Sequence, residues 1–249
     1  MRNPILTLLA FAAASLLVSA CQVQVTPDGP PYKLAVVSRR IIITNVSSGG
    51  NNREFLWASS QKNEADSTYC ARWVSGQGLA QNGVAFRIRS DSGGWDAAVL
   101  ERNIYLREFW VSVVIYFHSG RNFGTALEVG PAVDLGAYLG RSMAAAVYPL
   151  RICAQLTGTT LRFAVAKGAD PMPPLGTSGR GATFALNRSQ IPASGATGTY
   201  IAHLPRGTSA VVDDVSIDGI PAAPPNTQAI RSRLLNFSGS FAAGFSHSR

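Results

Sequence analysis

The sequence predicts an all-β domain, an antiparallel sandwich or barrel, set behind an N-terminal export signal. Short runs rich in β-branched and aromatic residues recur from residue 32 to residue 217, each broken by Gly, Pro, Asn or Ser turns. Helical periodicity is nearly absent: residues 135–147, with the run Met143-Ala144-Ala145-Ala146, are the one helical candidate. Charged residues make up 14% of the 249, well below the usual quarter, which suits an exported β-rich chain better than a cytosolic helical one.

The chain opens with Met1-Arg2-Asn3-Pro4 and an apolar run over residues 5–18, interrupted only by Thr7 and Ser15. A single basic residue followed by an apolar run of this length reads as a signal peptide, and the run is short for a bilayer span. The next residues, Val18-Ser19-Ala20-Cys21, resemble a bacterial lipobox. The resemblance implies cleavage before Cys21, a thioether-linked diacylglycerol on its sulfur and a fatty acyl group, such as palmitate, on the new amino terminus. Two or more chains anchor stably where one holds only marginally. The alternative is an ordinary secretory signal with an incidental cysteine. On the lipobox reading residues 1–20 are the lipoprotein signal peptide, and the protein belongs to the cell envelope, on a cell membrane or an outer membrane. Residues 21–31 are the lipidated cysteine and a tether, because Pro27, Gly29, Pro30 and Pro31 oppose helix and central strand alike.

Residues 32–225 form the β domain. Residues 34–37 and 41–46 are β-branched runs, and Ser47-Ser48-Gly49-Gly50-Asn51-Asn52 is a loop. Residues 55–58 and 68–74 follow. Residues 83–89 turn through Asp91-Ser92-Gly93-Gly94 into residues 95–100, a hairpin. Residues 109–117 (FWVSVVIYF) read as a central buried strand. Residues 126–129 are a further short strand. Residues 150–156 and 161–165 flank Thr157-Gly158-Thr159-Thr160 as a second hairpin. A Pro/Gly loop spans 168–181, strands at 200–204 and 210–217 complete the pattern, and Pro221 to Pro225 close the domain. Residues 226–249 are a Ser/Arg-rich, partly ordered tail.

The formal net charge is +8, carried almost entirely by scattered arginines. Basic charge on an anchored chain suits anionic headgroups or acidic wall polymers. No basic cluster interleaves with aromatics, so nucleic acid is not an expected partner. With Cys21 taken by the anchor, Cys70 and Cys153 remain. In an oxidising compartment the preferred reading is a disulfide closing a loop of about 80 residues; the alternative is two separate buried thiols.

Three segments together resemble the concanavalin A-like, laminin-G-like jelly-roll superfamily. The first is Asn82-Gly83-Val84-Ala85-Phe86-Arg87 with Trp95-Asp96-Ala97-Ala98-Val99-Leu100. The second is the hairpin from Leu150 to Phe163. The third runs from Gly198 through Gly207 to Val211-Val212-Asp213-Asp214-Val215-Ser216-Ile217. The resemblance implies an antiparallel two-sheet sandwich of the kind that hosts lectins, glycan hydrolases and adhesion modules, so fold alone does not select an activity. The E-x-D-x-x-E run of its glucanase branch does not occur here.

Trp57, Trp73, Trp95 and Trp110 are candidates for stacking on sugar rings, with core packing the simpler role for each. Trp95 and Trp57, with Arg87 and Asp96, are the candidate ligand-binding residues. Asp213, Asp214 and Asp218 are candidate oxygen ligands for calcium, as edge loops of this superfamily sometimes supply, although their alternation also describes a strand with one wet face. Asp66, Asp91, Asp96, Glu101, Glu108, Glu128, Asp134, Asp213, Asp214 and Asp218 show no spacing that selects a catalytic pair. They read as turn and rim carboxylates or as partners of Arg87, Arg89 and Arg102. No G-x-S-x-G, C-x-x-C or His cluster occurs. The expected function is therefore binding of a glycan or other envelope component, such as a wall polysaccharide, without catalysis. The alternatives are an envelope carbohydrate hydrolase and a structural, partner-binding lipoprotein. Substituting Cys21→Ala is expected to move the exported protein from the detergent phase to the aqueous phase on partitioning; unchanged partitioning would contradict the anchor.

Overall fold

A computed structural model describes residues 21–25, 32–46, 53–58, 64–76, 81–91, 94–103, 108–117, 126–128, 132–140 and 147–221. The expected signal peptide, residues 1–20, and the tail, residues 226–249, lie outside these residues. The strands in chain order are β1 (Cys21–Val25), β2 (Tyr32–Val37), β3 (Arg40–Asn45), β4 (Arg53–Ala58), β5 (Ser67–Ser75), β6 (Gln81–Asp91), β7 (Gly94–Asn103), β8 (Glu108–Phe117), β9 (Ala126–Glu128) and β10 (Val133–Asp134). After one helical turn, α1 (Gly136–Leu139), come β11 (Leu150–Thr157), β12 (Thr160–Lys167), β13 (Gly181–Ala185), β14 (Ala196–Ala202), β15 (Ser209–Ile217) and β16 (Ile220–Pro221).

They form two antiparallel sheets, the two-layer sandwich that the strand pattern predicts. The first runs β1-β4-β14-β6-β7-β8-β10, with β9 also on β8; the second runs β13-β12-β11-β5-β15-β3-β2, with β16 on β15. Their facing surfaces make one core. Leu56, Val84, Phe86, Ala98, Leu100 and Ile201 come from the first sheet; Tyr69, Trp73, Ile152, Leu156, Phe163 and Val212 come from the second. Each large apolar side chain buried there stabilises by about 1.5–3 kcal/mol. Two hydroxyl pairs cross the layers within this core, Ser67 to Thr197 and Tyr69 to Thr199, each at 2.6 Å. Such buried polar atoms remain favourable because each has a partner.

The two sheets differ in how they meet water. In the second sheet β5 and β11 alternate buried and half-exposed residues, the pattern of a sheet with one wet face. In the first sheet every residue of β14 is buried, as are residues 82–88 of β6 and 97–102 of β7. Residues adjacent along a strand point to opposite faces, so the first sheet is dry on both. Its outer face carries a second apolar cluster, including Phe55, Ala85, Ala97, Val99, Tyr200 and Ala202.

Cys70 and Cys153 are bonded, and they stand directly opposite on β5 and β11. Several expectations need correction. Residues 21–25 are not tether but strand β1, paired with β4 from Cys21↔Ala58 to Val25↔Glu54. The alternation Gln22-Val23-Gln24-Val25 has the period of a strand, and the prolines begin only at Pro27. The helix stops after one turn at Gly140, whose φ of 87° favours glycine. Strand β8 is not central among the described residues, where its far neighbours are the short β9 and β10. The end of the Pro/Gly loop gives way to β13 at Gly181, which passes so close to the Phe163 carbonyl that a Cβ would overlap it.

The cystine closes a separation of 83 residues, for which chain entropy gives about 4–5 kcal/mol. Replacing both cysteines by serine is expected to lower the unfolding free energy by that order in a denaturant titration. Thiol titration of the oxidised chain is expected to find neither Cys70 nor Cys153 reactive.

Candidate functional site

The β6–β7 hairpin gathers three of the candidate binding residues at one end of the sandwich. Its strands pair in regular register until Phe86↔Ala98, slip, and resume at Arg89↔Asp96. The neighbouring β14 slips at the same level, between Ala196 and Gly198. A bulge of this kind adds a residue to one strand and re-aims its side chain. That residue is Arg87, whose φ of 54° lies in the left-handed region. Gly195 lies against the Arg87 backbone so tightly that any Cβ there would overlap it.

Turned out of its sheet, Arg87 is 3% exposed. Its guanidinium donates to three backbone carbonyls from three connections: Ala65 between β4 and β5 (2.7 Å), Pro192 between β13 and β14 (2.9 Å), and Gly158 in the β11–β12 turn (2.5 Å). Asp66 is 3.8 Å away and accepts from the Gly158 amide at 2.7 Å. Burial pulls the Arg87 pKa below its usual value, and the Asp66 charge opposes that shift. Arg87 thus braces the loops around the hairpin, with its nitrogens engaged by main chain rather than offered to a ligand.

The polar pair that does face solvent is Arg89 with Asp96. The two stand directly opposite across the hairpin, and Arg89 Nε donates to both carboxylate oxygens at 2.8 and 2.9 Å. The side chains are 50% and 20% exposed. Trp95 precedes Asp96 and pairs with Tyr116 on one side and Ser90 on the other. Only the strand position of Trp95 is described. Trp57 is likewise described only by its strand, in β4 opposite Gln22. Trp57 is therefore not brought to the hairpin: it stands on another strand, with β14 and β6 between β4 and β7. Trp73 is fully buried in the core.

The calcium candidates separate. Asp213 is buried and accepts from Arg72 Nε and Nη2 at 2.7 and 2.9 Å, with Arg40 at 3.5 Å. That hydrogen bond, ahead of all other causes, raises the Arg72 pKa. Asp214, at φ 50°, points to solvent and meets Arg72 at 3.3 Å. Asp218 belongs to the β15–β16 turn and accepts from the Thr68 amide at 2.7 Å. A cation needs several oxygens converging on one point; these carboxylates are directed to arginines and a turn amide, so the set does not fit calcium. Among the described residues no group of three or more His, Cys, Asp or Glu converges.

Other described carboxylates are similarly engaged. Asp134 accepts from the Gly136 amide at 2.6 Å, and Asp170 from the Tyr138 hydroxyl at 2.6 Å. The Tyr138 ring in turn carries Arg180 at 4.7 Å and Lys167 at 5.8 Å, fixing the start of the Pro/Gly loop. Arg89 is the site residue that the residue pattern marks only as an ion-pair partner. The signal that finds it is the hairpin itself: a tight Asp-Ser-Gly-Gly turn sets Arg89 opposite Asp96.

No protein-family model matches the chain, and no curated protein matches it. Solved structures give distant likenesses. One is a Bacillus subtilis protein of unknown function with a galectin-like fold, 10% identical, covering 81% of this chain and 90% of that one, TM-score 0.49. The carbohydrate-binding module CBM66 from Bacillus subtilis is 11% identical, covering 80% and 96%, TM-score 0.47. The exoplasmic/lumenal domain of VIP36, bound to calcium and Man3GlcNAc, is 9% identical, covering 80% and 82%, TM-score 0.47. Likenesses this distant carry no functional argument; the architecture stands on the strand pairing above.

Arg87→Met removes the donors of three carbonyls, at about 1 kcal/mol or more each. It is expected to lower stability by about 3 kcal/mol in denaturant, against about 0.5 kcal/mol for the exposed Arg89→Met. Equal effects would contradict the bracing role.

Proposed function

We propose that this chain is an exported protein, anchored to a membrane by lipid on Cys21, whose β-sandwich binds a glycan or other envelope component at the β6–β7 hairpin without catalysis. One observation carries the reading: a solvent-facing Arg89–Asp96 pair, next to Trp95 in the sequence, on a hairpin braced by a buried arginine. An aromatic face stacks on the apolar face of a sugar ring. A guanidinium and a carboxylate held in fixed register offer both donors and acceptors to its hydroxyls. Bracing through Arg87 holds this geometry before a ligand arrives, which reduces the ordering cost of binding.

The cystine suits an oxidising compartment outside the cytoplasm. Because Cys21 is the first residue of β1, a lipid on it would hold the edge of the first sheet close to the bilayer. The non-catalytic reading draws on the described carboxylates: Asp96, Asp213 and Asp218 are engaged by arginines or a backbone amide rather than paired across a cleft.

In a pull-down with envelope polysaccharides or on a glycan array, the chain is expected to retain a polymer that Trp95→Ala and Asp96→Ala each bind about tenfold more weakly. Thermal unfolding of both variants should stay near that of the parent. A folded parent that binds no such polymer, or variants that bind as tightly, would contradict the proposal.

A further inference from the structure

On the wet face of the second sheet one pairing runs against charge. Arg72 of β5 and Arg151 of β11 stand directly opposite each other, two residues from the Cys70↔Cys153 pair. The Cα atoms of that cystine are 4.1 Å apart, the spacing of a non-hydrogen-bonded antiparallel pair, in which side chains come closest. Pair type repeats at every second residue, so Arg72 and Arg151 form the same close kind. Like charges set directly opposite destabilise a sheet. Arg72 is offset by Asp213 and Asp214. Arg151 makes no ion pair among the described residues: its Nη2 donates to the Asp170 carbonyl, which leaves its charge in place.

The next cations are held in the same way. Arg180 Nη2 donates to the following carbonyl, Pro171, at 2.7 Å, and its Nε and Nη2 reach the Val165 carbonyl at 3.3 Å. Lys167 Nζ donates to the Tyr138 carbonyl at 3.4 Å. Arg151, Lys167 and Arg180 are all half-exposed. Neutral carbonyls orient these three charges without neutralising them. Asp170, whose carboxylate accepts from the Tyr138 hydroxyl, brings one negative charge to the three positive ones. Neighbouring strands lie about 4.8 Å apart, so the cations spread over about 14 Å from β5 across β11 and β12 to the start of β13.

We propose that Arg151, Arg180 and Lys167, with Arg72 beside them, form a binding site for the oxyanion groups of an acidic glycan chain. The group is the carboxylate of a uronic acid or a phosphodiester; both offer the paired oxygens that a guanidinium grips. An oxyanion between Arg72 and Arg151 offsets the repulsion that the empty pair carries. The spread of the cations suits a chain with repeated charges rather than one small anion. The site lies on the sheet opposite the β6–β7 hairpin, so it stands or falls separately from binding there.

Retention of the full chain on immobilised polygalacturonate, poly(glycerol phosphate) and neutral dextran tests the proposal. The chain is expected to bind one or both acidic polymers and not dextran, and the polymer retained identifies the oxyanion. Binding should weaken steeply as sodium chloride rises. Arg151→Gln is expected to bind about tenfold more weakly, and Arg151→Lys to recover part of that loss, because lysine keeps the charge without the fork. Without polymer, Arg151→Gln should unfold at no lower temperature than the parent, since it removes a like-charge contact; a purely structural arginine would give the reverse. No retention on either acidic polymer, or Arg151→Gln binding as tightly as the parent, would overturn the site. Should Arg151→Gln fail to fold, Lys167→Gln is expected to bind about threefold more weakly, and unchanged binding by that variant would overturn the site equally.

Discussion

Contact between the two sheets decides where every other part of this molecule stands. Phe86, Leu100 and Ile201 on one side meet Trp73, Ile152 and Phe163 on the other, and the Ser67–Thr197 and Tyr69–Thr199 pairs lock their register. Strand alternation then assigns every remaining residue of the sheets. On the second sheet it sends the cystine, Arg72 and Gln155 toward the wet face, where polar partners are plentiful. On the first sheet it sends Phe55, Ala85, Val99 and Tyr200 to a face that is also dry. The asymmetry is energetic as well as geometric, because each large apolar group left wet on that face forfeits about 1.5–3 kcal/mol. The described strands of the first sheet are therefore dry on both faces, and those of the second on one.

The end of the sandwich follows from the same constraint. Two adjacent strands, β6 and β14, slip together at Arg87 and Ala196. The slip costs ladder hydrogen bonds and a left-handed residue, and its return is a guanidinium placed among three loops. Without Arg87 the carbonyls of Ala65, Gly158 and Pro192 would lose their donor. With it, the hairpin beyond carries the Arg89–Asp96 pair in register. The bracing arginine and the solvent-facing one are thus near neighbours in sequence with opposite exposures: Arg87 is buried and Arg89 open.

The two-sheet class, both hairpins, the Pro/Gly loop and the Cys70–Cys153 pair are legible in the amino-acid sequence alone. They follow from alternation, turn residues and cysteine count, all local or compositional signals. What is not legible depends on partners distant in sequence. Gln22-Val23-Gln24-Val25 carries a strand's period, yet only β4 makes it an edge strand. Residues 109–117 read as central because the run is apolar, but an apolar run reports burial, not position in a sheet. Arg87 reads as a ligand-binding arginine because its bulge, and hence its inward turn, arises from pairing with β14 more than a hundred residues away. The aspartates at 213, 214 and 218 look like a cation set until β5 and β3 bring Arg72 and Arg40 to them.

Dryness on both faces of the first sheet is the property on which the rest turns. Solvent paramagnetic relaxation by a soluble gadolinium chelate measures it in solution, with alanine methyls as reporters. Ala85, Ala97 and Ala202 on the outer face should relax as slowly as Ala154 in the core. Relaxation of those three at the rate of the exposed Ala137 would contradict a sheet that is dry on both sides.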